Sequence, residues 1–68
     1  MTKDIIIDAI LQERERQDGL HDWNKKTNRL AVLVEEVGEI AQALQGEGDL
    51  AEELMQLASV CVRWLEEL

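Results

Sequence analysis

Residues 45–50, QGEGDL, constrain this chain more than any other stretch. They join two segments whose apolar residues recur every three or four positions, and a link this short, with glycines free to turn, folds two helices back on each other. Asp49 is a good N-cap for the second of the pair. Residues three or four apart on a helix share a face, so Glu36 with Glu39, and Glu53 with Gln56, each present two oxygen-bearing side chains together. The hairpin brings the two pairs into one place. Carboxylates gathered in this way repel one another at neutral pH unless a cation lies between them.

With 68 residues the chain is expected to be one small domain spanning 1–68, too short to cover all its apolar surface when folded alone. A single cysteine, Cys61, allows no disulfide framework, and no Cys/His cluster offers a structural zinc site, so oligomerisation is the remaining way to complete a core. The net charge of −8, from 15 acidic and 7 basic residues, argues against nucleic acid polymers and anionic membranes as partners. A metal-bridged anionic substrate stays possible, because a bound cation reverses the local field. No apolar run approaches a membrane span and the start, MTKDIIID, is not a secretory signal; together with the lone thiol this predicts a cytoplasmic protein.

The periodicity predicts three helices and no strands. The first runs from Thr2 to about Gln17, with Ile6, Ile7, Ile10 and Leu11 in one arc; its polar end, QERERQ, reads as a solvated face or a helix end. Gly19 is expected to end it in a left-handed conformation. Residues 19–28, GLHDWNKKTN, form a loop anchored by Leu20 and Trp23, after which Thr27 or Asn28 caps the second helix. The apolar stripe of that helix, Leu30, Leu33, Val34, Val37, Ile40, Ala41 and Leu44, is expected to be core. Val32 and Ala43 lie on a second face with Glu36 and Glu39, a face suited to another chain. On the third helix the expected core stripe is Leu50, Leu54, Leu57, Ala58, Cys61, Trp64, Leu65 and Leu68, with Glu53 partly desolvated at its margin beside Leu57 and Val60. The fold class is therefore all-α, a three-helix protomer.

The paired carboxylates suit a hard cation. Magnesium takes oxygen ligands, keeps several waters, and is commonly held by a few carboxylates together with substrate phosphates. The competing reading makes these glutamates the solvated surface of an acidic helical bundle that serves only to oligomerise. Elsewhere, Trp23 can stack on a base or simply anchor its loop, while Lys25, Lys26 and Arg29 can meet phosphates. His21 has no companion to orient it and reads as a solvated loop residue. Asn24 and Asn28 can hydrogen-bond a base or sugar, although helix capping already accounts for Asn28. Trp64 reads as core or interface and Cys61 as a buried small residue.

The segments LAVLVEEVGEIAQALQ and DLAEELMQLASVCVRWLEEL, with ERERQ and the Trp23 loop before them, resemble the MazG-like family of all-α nucleoside triphosphate pyrophosphohydrolases. The likeness covers nearly the whole chain. That family's signature is EExxE, a spacer, then ExxD; here Glu35, Glu36 and Glu39 supply EExxE and Glu53 supplies the glutamate of ExxD. The resemblance implies a magnesium-dependent enzyme that cleaves a nucleoside or deoxynucleoside triphosphate to a monophosphate and pyrophosphate. It also implies a homodimer or homotetramer in which helices of two chains form a four-helix bundle around each site. Glu36, Glu39 and Glu53 are then metal ligands, and Glu35 is a further ligand or the base that orients a water. The pattern departs at Gln56, which stands where the family has aspartate and offers a neutral amide oxygen. The link at 45–50 is also shorter than in many relatives.

Overall fold

The computed structural model describes residues 1–20 and 28–68, and these form three helices: α1 (Lys3–Asp18), α2 (Asn28–Leu44) and α3 (Leu50–Glu66). The described part is all-helical. Each boundary has a local cause. Thr2 caps α1, its hydroxyl oxygen accepting from the Ile5 amide at 3.5 Å. Asp49 caps α3, its carboxylate accepting from the amides of Ala51 at 3.0 Å and Glu52 at 3.3 Å. At the end of α2, Gly46 takes a φ of +87° while the Glu47 amide donates to the Gln42 carbonyl and the Gly46 amide to that of Ala43, both at 3.0 Å. This pair of bonds closes the last turn and satisfies carbonyls that the helix itself leaves open. Gly19 ends α1 differently from expectation: its φ of −84° is right-handed, and the turn is closed by its amide bonding the Arg16 carbonyl at 3.2 Å.

α3 is the central element, packing against both α1 and α2, while those two do not pack on each other among the described residues. α2 and α3 form the expected antiparallel hairpin, with Val32 against Val60 in the core, then Glu36 level with Gln56, then Glu39 level with Glu53. α1 and α3 are joined by side chains bonding to backbone. The Gln17 Nε2 donates to the Gln56 carbonyl at 3.1 Å, and the Ser59 hydroxyl lies 2.9 Å from the Ile10 carbonyl and 2.7 Å from that of Met55. Ion pairs reinforce the arrangement: Arg14 bonds Glu66 and Asp18, Arg63 bonds Glu67, and Arg29 pairs with Glu67.

The interior differs from the expected one. Among the described residues the only buried apolar side chains are Val32 and Val60, and the equally enclosed polar ones are Gln17, Glu36 and Ser59. On α2 the stripe expected as core is mostly exposed: Leu30, Val34, Val37 and Leu44 face outward, and the face assigned to another chain, with Val32, Glu36 and Ala43, packs inside the protomer. α3 shows the same reversal. Leu50, Leu54, Cys61, Leu65 and Leu68 are exposed, whereas Ser59 and Val60 are fully enclosed; the thiol of Cys61 is thus not the buried small residue expected. On α1, Ile7 and Leu11 are exposed, so the packed seam is narrower, running Ile6, Ile10, Glu13 and Gln17. The packing accounts for this: among the described residues α1 and α2 each pack on α3 and not on each other, so little surface is enclosed between helices. Every helix keeps an open face. No helix among the described residues is long and apolar enough to cross a membrane.

Candidate metal centre

The hairpin register decides which carboxylates meet. On α2 the inward positions recur at Val32, Glu36, Glu39 and Ala43, so the two glutamates share the face that packs on α3. On α3 Glu53 lies in the first turn, set by the Asp49 cap, and Gln56 follows one turn later. One carboxylate oxygen from each of Glu36, Glu39 and Glu53 lies within 4.8 Å of the others. Glu36 is 8 % exposed, Glu53 half-buried and Glu39 open to solvent.

Gln56 sits between them as a donor. With its amide nitrogen turned to the carboxylates it donates to Glu36 Oε2 at 2.9 Å and Glu53 Oε2 at 2.8 Å. The opposite orientation would set an amide oxygen against two carboxylate oxygens, which the hydrogen-bond network disfavours. Gln56 therefore belongs to the cluster by bracing two of its carboxylates, and an oxygen ligand at this position requires the amide to turn.

Crowding shows in the proton affinities. The Glu36 carboxyl is raised from its ordinary 4.5 to about 7, by burial above all, then by the charge of Glu39 and a hydrogen bond with it, then by Glu53 and Glu13. Glu53 is raised too, chiefly by its hydrogen bond with Glu39, then by desolvation and the Glu39 charge. Carboxyl groups hydrogen-bonded to one another must share protons, so near neutral pH the cluster carries less than its full negative charge.

The cluster opens into a cavity of about 420 Å³, lined also by Arg16, Gln17, Glu35, Gln42 and Glu47. Of the predicted residues, Glu35, Glu36, Glu39, Glu53 and Gln56 all reach this cavity. Arg29 does not line it; its guanidinium pairs with Glu67, at the end of α3 opposite Glu53. Trp23, Lys25 and Lys26, like His21, Asn24 and Thr27, lie outside the described residues. Trp64 is half-buried, beside Cys61, Leu65 and Leu68 on the outer side of α3.

Of the lining residues that were not among those expected, Arg16 and Gln17 bear most on the site. Arg16 is a cation at the cavity, held by Glu13, which accepts from the Arg16 Nε at 2.8 Å. Gln17 is 1 % exposed, and beyond its bond to the Gln56 carbonyl its Oε1 is enclosed with no hydrogen-bond partner among the described residues. A signal for Gln17 did exist. The spacing Ile6, Ile10, Glu13, Gln17 continues one helical seam, so the buried face of α1 turns polar instead of ending.

Three carboxylate oxygens, one buried and all within 4.8 Å, fit a hard divalent cation. Magnesium takes oxygen ligands and is commonly held by a few carboxylates together with waters, and Glu36, Glu39 and Glu53 are the residues that would hold it. The fold and site thus define an all-α helical hairpin with a third helix packed on it and a carboxylate cluster in the hairpin seam. Among protein-family models, curated proteins and solved structures, none matches this chain.

Proposed function

We propose that this chain is a magnesium-dependent nucleotide pyrophosphohydrolase of the MazG-like kind, acting on a nucleoside or deoxynucleoside triphosphate to release a monophosphate and pyrophosphate. The observation that carries the reading is the convergence of Glu36 and Glu39, from the EExxE pattern, with Glu53 from the next helix, within 4.8 Å. Glu36, Glu39 and Glu53 hold the metal, and Gln56 fixes the orientation of two of them. Magnesium held there would supply charge neutralisation on the phosphate chain and a more acidic water. Glu35, lining the same cavity, is the base that orients the attacking water. Arg16 is the cation placed to meet a phosphate, since a guanidinium matches phosphate oxygens in two-point contact.

The reading includes self-association in the cytoplasm. Leu30, Val34, Val37, Ala41 and Leu44 are spaced four and three apart along the outer face of α2 and are all exposed, the pattern that packs against a further helix. A homodimer or homotetramer covers this stripe, on the side of α2 that faces away from the carboxylates.

A second reading keeps the oligomer and drops the chemistry: a non-catalytic interaction protein, or a relative that binds metal or nucleotide without turnover. What favours it is Gln56, which satisfies Glu36 and Glu53 where the motif has a further carboxylate. Pyrophosphate release from a panel of nucleoside triphosphates with magnesium separates the two. Release abolished by Glu36→Gln or Glu39→Gln, in protein that stays folded, is the expected result; release that survives both changes overturns the enzyme reading.

A further inference from the structure

Glu13 and Arg16 are one helical turn apart on α1, a spacing at which a carboxylate and a guanidinium commonly pair on the surface for little gain in stability. This pair is exposed on one side only. The Arg16 side chain is 53 % exposed, but that of Glu13 is 14 % exposed, on the seam of α1 that packs against α3. After burial, Glu39 and Glu53, the charge of Glu13 is a further influence raising the Glu36 carboxyl, so Glu13 adds to the crowding at the cluster. The contact that offsets this is with Arg16.

That contact is a fork. Glu13 accepts from the Arg16 Nε with both carboxylate oxygens, at 3.0 Å and 2.8 Å, and from Nη2 with one of them. A guanidinium carries its N–H donors along two usable edges, and the Nε edge is the one taken. The other edge, Nη1 with the outer hydrogen of Nη2, makes no bond to a described residue. Arg16 lines the cavity of about 420 Å³ into which Glu36, Glu39 and Glu53 open. Its proton is held first by the bonds to Glu13 and then, beyond the charge of Glu13, by those of Glu52 and Glu36, neither of which it bonds.

We infer that Glu13 is a positioning residue for substrate: by gripping the Nε edge of Arg16 it keeps the opposite, Nη1–Nη2 edge open to the phosphate oxygens of a nucleoside triphosphate bound at Glu36, Glu39 and Glu53. The inference rests on the functional reading above and extends it to α1. A planar edge offers two donors to two phosphate oxygens, where an ammonium offers a point charge. Without the grip, the same guanidinium is drawn to Glu36 and Glu52, and a fork closed on Glu36 occupies a residue that the metal needs.

The test measures binding of inorganic tripolyphosphate in excess magnesium by isothermal titration calorimetry, since this probe carries the phosphate chain without base or sugar. The proteins are wild type, Glu13→Gln, Arg16→Gln, Arg16→Lys and the double variant of Glu13→Gln with Arg16→Gln, each checked for helical content and melting temperature. The sign of the Glu13→Gln effect decides. A Glu13 that acts only as a nearby negative charge gives tighter polyanion binding when neutralised; a Glu13 that holds Arg16 gives weaker binding. The expected Kd is about threefold weaker for Glu13→Gln and about tenfold weaker for Arg16→Gln, with Arg16→Lys close to the latter because lysine cannot hold Glu13 and phosphate by separate edges. The double variant binds no more weakly than Arg16→Gln, because Glu13 works through Arg16. In pyrophosphate release, Glu13→Gln raises KM with kcat little changed. Unchanged or tighter binding by Glu13→Gln overturns the inference, as does additive weakening in the double variant. Unchanged binding by Arg16→Gln, a change at an exposed side chain, overturns it even where Glu13→Gln lowers the melting temperature. Wild-type protein that binds no tripolyphosphate fails earlier and differently, taking the phosphate-binding reading of the site down with it.

Discussion

The two faces of α2 differ in apolar content, and the more apolar one is the one left open. The inner seam, Val32, Glu36, Glu39 and Ala43, packs on α3 with only one fully buried large apolar residue; the outer seam, Leu30, Val34, Val37, Ala41 and Leu44, is richer in leucine and valine and lies open. Positions 30 and 32 are about 200° apart around a helix, so the seams are back to back. The contrast teaches that the more hydrophobic face of a helix in a very small protein need not be the one its own chain covers. Here the small and carboxylate side chains took the inner position and the larger apolar ones stayed exposed.

The sharpest way to break this contrast is to place the same charge on either side. Val32→Asp buries an unpaired carboxylate in the core and is expected to cost several kcal/mol and abolish the cooperative thermal transition seen by circular dichroism. Val34→Asp with Val37→Asp should leave the helical content and melting of the protomer nearly intact. In sedimentation velocity the same pair should shift the protein to monomer, and an unchanged oligomer would show that the outer seam is not the contact.

Activity sharpens the inner seam next. Glu36→Gln is expected to reduce pyrophosphate release at least about a hundredfold, roughly 2.7 kcal/mol of barrier, while raising metal-free stability, because it removes a crowded charge. A fall in both stability and activity would mean that Glu36 serves the fold alone.

A pH series gives a smaller effect with a definite sign. The Glu36 carboxyl titrates near 7 in the folded protein against 4.5 in the unfolded chain, so between those values the folded state holds more protons. Its contribution is fully present below about 4.5 and lost as pH rises through about 7. Metal-free protein should be more stable at pH 5 than at pH 8 by about 1–3 kcal/mol, with Glu53 adding in the same direction. Glu36→Gln should flatten the profile, as followed by urea denaturation. Smallest of all, Asp49→Ala removes the α3 cap and should cost about 1 kcal/mol, read as a lower melting temperature.

Much of the site was legible from residue spacing because its geometry is local. Glu36 and Glu39 share a face by helical period alone, and the short link at 45–50 forces the antiparallel return that brings Glu53 to them. Gln56 was legible as a member but not in its role, because whether an amide presents oxygen or nitrogen depends on what faces it. Arg16 and Gln17 sit in a polar run that reads as a solvated helix end; the spacing from Ile6 through Ile10 and Glu13 reaches Gln17, but the packing of α1 on α3 is what encloses it.

The sequence by itself determined the helices, the cap at Asp49, the glycine turn at 45–50 and the shared face of Glu36 and Glu39, all consequences of interactions within a few residues along the chain. Tertiary structure alone decided which side of α2 and α3 faces inward, why Ser59 and Gln17 are buried while Leu65 and Cys61 are not, and how strongly Glu36 holds its proton. Helical period specifies which residues lie together on a face. It does not specify what that face meets, because contact between helices is settled by the fit of distant surfaces and by how many layers a chain of this length can build.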